Sequence, residues 1–247
     1  MKLKLAIIFM VYGGLLLVWF ICVGKGEGPF WMPSLEKVFV RGFSSTLWAH
    51  AFSTFKTMSY AAFLALAFSL PLGWVLSKSP WLRMIVQSFL LIFQILPMFV
   101  LAPLMIFWFG WTRVAVVVPT ALMMVFPLVL HSIRGFTATP IEYCQFFQVH
   151  GATKRQLFFK LKLPYALPYL FSGLRICVSF AGVGAIAGEF AGAQEGIGVF
   201  LQECRRAFDL EGLFAGIFCL LFLTLTMYFF FYGMERIFCK EVKADAL

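Results

Sequence analysis

Three ionisable residues, Lys56, Arg175 and Glu189, sit within or at the ends of long apolar stretches of the 247-residue chain. At membrane depth such a group costs about 2.5–3.5 kcal/mol on insertion scales, so it faces a partner or a water-filled pathway. The chemistry this points to is handling of a solute, not covalent catalysis. His50 and His131 stand alone, and Cys22, Cys144, Cys177, Cys204, Cys219 and Cys239 show no C-x-x-C pair and no His/Cys ligand spacing. Neither a metal site nor a disulfide framework is expected. No G-x4-G-K-[ST] phosphate loop occurs, so the chain is expected to hydrolyse no ATP itself, to carry no cofactor and to be no enzyme. A membrane-embedded enzyme would need paired acids, a His cluster or a Ser/Lys dyad. An ion channel would need a filter loop or a charged ring, and the short turn at Gly110 offers neither.

The elements that must position these residues follow from composition. The chain is 62% hydrophobic and 13% charged, against about a half and a quarter in soluble domains. A helical span needs about 20 mostly apolar residues, because backbone groups inside lipid must satisfy one another. Apolar runs predict six spans near 4–23, 52–77, 86–109, 113–133, 166–190 and 212–234, in one membrane domain over 1–247. Lys2 and Lys4 precede a first run of about 19 residues with no A-x-A-like cleavage site, so it is expected to be kept as a span. Pro97, Pro103, Pro119 and Pro127 fall inside spans, where neighbouring helices can absorb a kink. Trp19, Trp48 and Trp81 near span ends suit interfacial anchors.

The formal charge of +9 would suggest nucleic acid as a partner of a soluble protein, but here the basic residues lie between apolar runs. With the amino terminus inside, Lys2, Lys4, Lys78, Arg83, Arg134, Lys154, Arg155, Lys160, Lys162, Arg236, Lys240 and Lys243 face inward. Only Lys25, Lys37, Arg41, Arg113, Arg205 and Arg206 face outward. That excess predicts both termini in the cytoplasm, and no nucleic-acid role.

The longest inward segment, Arg134 to Pro164, is too long for a plain connector. Thr139 is expected to cap a short helix with Pro140 at its first position and Glu142 completing a capping box. Gly151 suits the left-handed residue that ends a helix. Thr153 with Gln156 opens a second short helix, which Pro164 is expected to limit. Two short helices bent at Gly151 form a docking surface or a basic helix lying on lipid.

This segment resembles the cytoplasmic signature of binding-protein-dependent ABC importer permeases, E-A-A-x3-G-x9-I-x-L-P. Here it runs Gln145, Phe146, Phe147, three residues, Gly151 with Ala152 after it, and then Leu161, Lys162, Leu163 and Pro164. Spacing, glycine and the closing Leu-Pro are kept; the E-A-A triplet reads Q-F-F. The strings L-P-Y-A-L-P-Y-L-F-S-G-L-R-I and A-G-E-F-A-G-A-Q-E-G-I-G also resemble the branch importing sulfonates, taurine, nitrate or thiamine-precursor pyrimidines. The likeness covers about residues 45 to 236, with the span at 4–23 as an extra element. It implies an all-α membrane protein of about six transmembrane helices, a type I ABC importer permease fold with a cytoplasmic coupling helix, in a bacterial inner membrane. It implies a second copy of the chain, a separate ABC ATPase gripping the bent loop, and an extracytoplasmic substrate-binding protein. Gln145 cannot form the ion pair of the family's glutamate, and Glu142 stands near enough to supply that charge.

Span direction puts Lys56 and Glu189 near the same membrane face, where they approach each other, line the outer cavity, or reach the headgroups separately. Arg175 is expected nearer the inner end, reaching the headgroups. Gly184, Gly188 and Gly192 keep small-xxx-small spacing, which permits close backbone approach or direct ligand contact and marks the fifth span as an interior helix near the pathway and the dimer interface.

Overall fold

The computed structural model describes residues 32–95 and 98–239 and carries only helices and connectors there. In chain order they are α1 (Leu35–Gly42), α2 (Ser45–Ser77), α3 (Pro80–Ile95), α4 (Met98–Phe109) and α5 (Val114–Thr137). Then come α6 (Ile141–Val149), α7 (Lys154–Leu157), a π turn (Phe158–Lys162), α8 (Leu163–Gly192), α9 (Ile197–Arg206) and α10 (Leu210–Phe238). Four helical runs among these residues are long and apolar enough to cross a membrane: α2, α5, Lys154–Gly192 and α10.

The span expected at 86–109 is helical over its described residues, in α3 and α4, on either side of residues 96 and 97. One expectation needs correction: Pro164 does not stop the second loop helix. It sits at the start of α8, directly after the π turn Phe158–Lys162, and the helical run continues from Lys154 to Gly192. The span expected at 4–23, with Trp19, lies outside the described residues.

α5 lies at the centre, packed along α8 and α2, with α10 closing against α8. Their core holds Ala61, Ala62 and Ala65 of α2, Met124 and Leu128 of α5, and Cys177 and Ala181 of α8. Small residues of this kind let helix backbones approach closely where lipid supplies no hydrophobic drive to associate. Trp48 and Trp81 remain exposed at helix ends. The bundle thus has a loop end, carrying α6 and α7, and a far end, carrying α1, α9 and the Gly110–Arg113 turn.

At the loop end Phe158 of the π turn meets Trp74 of α2 edge to face, ring centroids 4.6 Å apart, and stacks on Phe136 of α5 at 5.8 Å. The residues leading into α8 are therefore clamped to two other spans. At the far end α9 buries Ile197, Phe200, Leu201 and Cys204, an i, i+3, i+4, i+7 stripe, against Leu47, Ala51, Ala215 and Cys219.

Candidate functional site

The far end is organised around the start of α9. The first N–H groups of a helix have no partner within it. Here three consecutive ones are taken by side chains of other helices. Gly196 N–H donates to His50 Nδ1 at 3.1 Å, Ile197 N–H to Thr54 Oγ1 at 2.7 Å, and Gly198 N–H to Glu189 Oε2 at 2.7 Å. Thr54 in turn donates its hydroxyl to Glu189 Oε1 at 2.8 Å. His50 and Thr54 are one turn apart on α2, and Glu189 comes from the last turn of α8. Glu189 is 2% exposed, a depth at which an unpartnered carboxyl would be costly. Gly196 takes φ +131°, and a Cβ there would overlap the Glu189 carboxyl.

Lys56 does not join this cluster. Its ammonium lies over the Phe52 ring, 4.1 Å from the centroid, so the Lys56–Glu189 approach is corrected. α2 turns Lys56 away from the face that carries Thr54 and His50. Arg175 does not reach for headgroups alone: it pairs with Glu235 of α10 at 3.0 Å, with the Tyr232 ring 5.5 Å away. Sequence reasoning missed His50, Thr54, Gly196 and Gly198. The i, i+4 spacing of the first two and the apolar stripe of α9 were the available signals. Beside them, burial first and the Asp209 carboxylate second push the Cys204 thiol up to about 11, which keeps it protonated and unreactive.

At the loop end α6 begins at Ile141 with Pro140 as its N-cap residue and no side-chain cap. The capping box expected from Thr139 and Glu142 is absent, because Pro140 occupies the capping position and offers no side-chain acceptor. The Thr139 hydroxyl is buried without a partner, and Glu142 is exposed in the first turn. α6 ends at Gly151 in the left-handed region, φ +75°, with Ala152 N–H reaching back to the Phe147 carbonyl at 3.0 Å. Thr153 and Gln156 form the reciprocal capping box that opens α7.

Of the signature residues, Gln145 and Phe146 are exposed, Phe147 and Ala152 half-buried, and Leu161 buried. Leu163 and Pro164 lie half-buried in the first turn of α8. α6 buries only Cys144 and leaves Ile141, Phe146 and Val149 at 63%, 58% and 84% exposure. Arg155, Lys160 and Lys154 add exposed positive charge alongside.

The glycines of α8 pack within this chain. A Cβ at Gly184 would stand 3.0 Å from Thr120 Cα, one at Gly188 would meet Val116 Cγ1 at 2.6 Å, and one at Gly192 would overlap the Trp111 ring. Gly184→Val is expected to destabilise the α5–α8 contact by about 2 kcal/mol through overpacking. The unfolding midpoint of the purified chain in detergent should then fall by about 6 °C; an unchanged midpoint would show that the two helices separate freely.

Comparison with known proteins supplies the context for both ends. A family model described as "Binding-protein-dependent transport system inner membrane component" matches residues 65–243. The formylaminopyrimidine transport permease protein ThiX of Halalkalibacterium halodurans is 34% identical over 212 residues, 83% of this chain and 84% of that one. A probable ABC transporter permease protein of Haemophilus influenzae is 30% identical over 93% of this chain and 95% of its own length. The taurine transport system permease protein TauC of Escherichia coli is 26% identical over 81% of this chain and 76% of its own. Among solved structures, an inward-facing conformation of the MetNI methionine ABC transporter superposes with a TM-score of 0.68 at 20% identity. That match covers 83% of this chain and 99% of the other.

Proposed function

The chain belongs to the binding-protein-dependent transport system inner membrane components and is the permease subunit of an ABC importer, a multi-pass membrane protein working with an ATPase and a substrate-binding protein; from that premise we propose how it is driven. The ATPase grips α6 and the bend at Gly151. The observation that carries this reading is the uncovered apolar face of α6, Ile141, Phe146 and Val149, joined through Gly151 to a helical run that continues into α8. An apolar patch of this kind rimmed by polar residues suits a protein partner.

The run from Lys154 to Gly192 has no break, so a push on α6 travels along α8 as on a lever. Phe158 against Trp74 and Phe136 passes the same displacement to α2 and α5. ATP binding draws two ATPase subunits together, the loops follow, and the loop end of the pathway closes while the far end opens. Gln145 contributes hydrogen bonds to the grip and Glu142 the acidic charge; both are exposed on α6. Two copies of the chain enclose one pathway across the lipid bilayer, with both termini and α6 in the cytoplasm. The substrate-binding protein delivers cargo at the far end. The cargo is a small solute of the kind named for the relatives, a formylaminopyrimidine or a sulfonate such as taurine.

The test is reconstitution in liposomes with the ATPase and the binding protein, together with a Gln145→Cys cross-linking arm. Uptake should require ATP inside the face that carries α6, and Gln145→Cys should trap the ATPase subunit. Uptake by the chain alone without ATP, or a cross-link only to lipid, would overturn the reading.

A further inference from the structure

A cavity of about 240 Å³ opens at the far end between the tips of α2, α5 and α8. It lies just below the ~300–1,000 Å³ range of drug-sized ligand pockets, so it suits a very small solute. We propose that this cavity is a solute subsite within the permease itself, and that it takes an uncharged planar molecule bearing hydrogen-bond donors and acceptors while turning away small anions. The proposal rests on the importer reading above and narrows its substrate class.

Two hydroxyls carry it. Ser53 and Thr57 lie one helical turn apart on α2, are 6% and 3% exposed, and both line the cavity. Neither hydroxyl has a hydrogen-bond partner among the described residues, whereas buried Thr54, Thr120 and Ser132 all do. Neither oxygen is sealed off from the cavity, so both are open to a bound molecule that pairs with them in place of water. A hydroxyl both donates and accepts, so this pair matches a ligand edge carrying both functions.

The remaining walls set shape and charge. The Trp111 ring rests on Gly192, at a point where a side chain would overlap it, and exposes its other surface at the mouth. An aromatic surface of this size favours a flat ligand. Two acidic residues, Glu189 and Glu195, line the cavity against one guanidinium, Arg113, which stands 3.7 Å from Glu195. That acidic excess sets the local charge against an anion.

The test uses intact membranes holding the chain with its own partners, and a small neutral thiol reagent, methyl methanethiosulfonate. The native cysteines among the described residues are buried, so labelling should report Thr57→Cys or Ser53→Cys. Cytosine, as the flat uncharged probe, should slow labelling of either variant at least threefold, and methanesulfonate should leave it unchanged. Thr57→Val added to Ser53→Cys should abolish the protection. Equal protection by both probes, protection by methanesulfonate alone, or none by cytosine would overturn the proposal. Labelling needs neither ATP nor the grip on α6, so failure here is separable from failure of the Gln145→Cys cross-link.

Discussion

Glu189→Ala is expected to lower the unfolding midpoint of the purified chain by about 10 °C and to expose the far end to protease. The Glu189 carboxyl accepts from Gly198 N–H and from the Thr54 hydroxyl, and both donors are buried beside it. Removing it leaves two polar groups unpaired out of water, each costing about 1–3 kcal/mol, or about 3 kcal/mol together after relaxation. For a chain of this size each kcal/mol moves the midpoint by about 2–4 °C. The loss should be concentrated where the cluster acts. α9 is held by its capped start and by the Arg41–Asp209 ion pair at 2.9 Å beyond its end, so trypsin should cut faster after the exposed Arg205 and Arg206.

Glu189→Gln separates hydrogen bonding from bulk. Its amide oxygen can still accept from Gly198 N–H, and its NH2 can donate to Thr54 Oγ1, so about 1 kcal/mol should be lost. Gly196→Ala should resemble Glu189→Ala for a different reason: φ +131° is unfavourable for alanine, and its Cβ would occupy the space of the carboxyl. Should Glu189→Ala unfold and digest like the wild type, the cluster would not be what secures α9.

The second large effect is expected at Gly151, where the consequence should be functional and not a loss of fold. Its φ of +75° suits glycine, and nothing lies within 4 Å of where a Cβ would be. Gly151→Val therefore meets no neighbour, but a β-branched residue in the left-handed region carries about 2 kcal/mol of strain. The bend can relieve that strain by opening, which moves α6 relative to α7 and withdraws the docking face. Spent on the docking equilibrium, about 2 kcal/mol corresponds to about a 30-fold loss. ATP-driven uptake and recovery of the ATPase with the purified chain should both drop by that order, while the unfolding midpoint shifts by only a few degrees. Gly151→Asn is the control, because asparagine tolerates the left-handed region, and it should retain most of the uptake. Full uptake by Gly151→Val would remove the bend from the coupling path.

Sequence alone determined what depends on neighbours along the chain. Helical class and membrane residence followed from the apolar runs. The bend at Gly151 and the Thr153–Gln156 capping box followed from side chains that meet their own backbone within one turn. Even locally a competing preference went unseen: Pro140 displaced Thr139 from the capping position, and Pro164 proved compatible with a helical run where it follows a π turn. Tertiary structure decided which polar groups meet. Glu189 finds Thr54, far away in the chain, and not Lys56, only two residues further along the same helix. A hydropathy pattern sets how deep a residue is expected to lie in a span. It does not set the rotation of each helix about its axis, and two residues along a helix turn a side chain by more than half a circle. That rotation is chosen by close packing, here by Gly184 and Gly188 against Thr120 and Val116, and it alone brings His50, Thr54 and Glu189 to the start of α9.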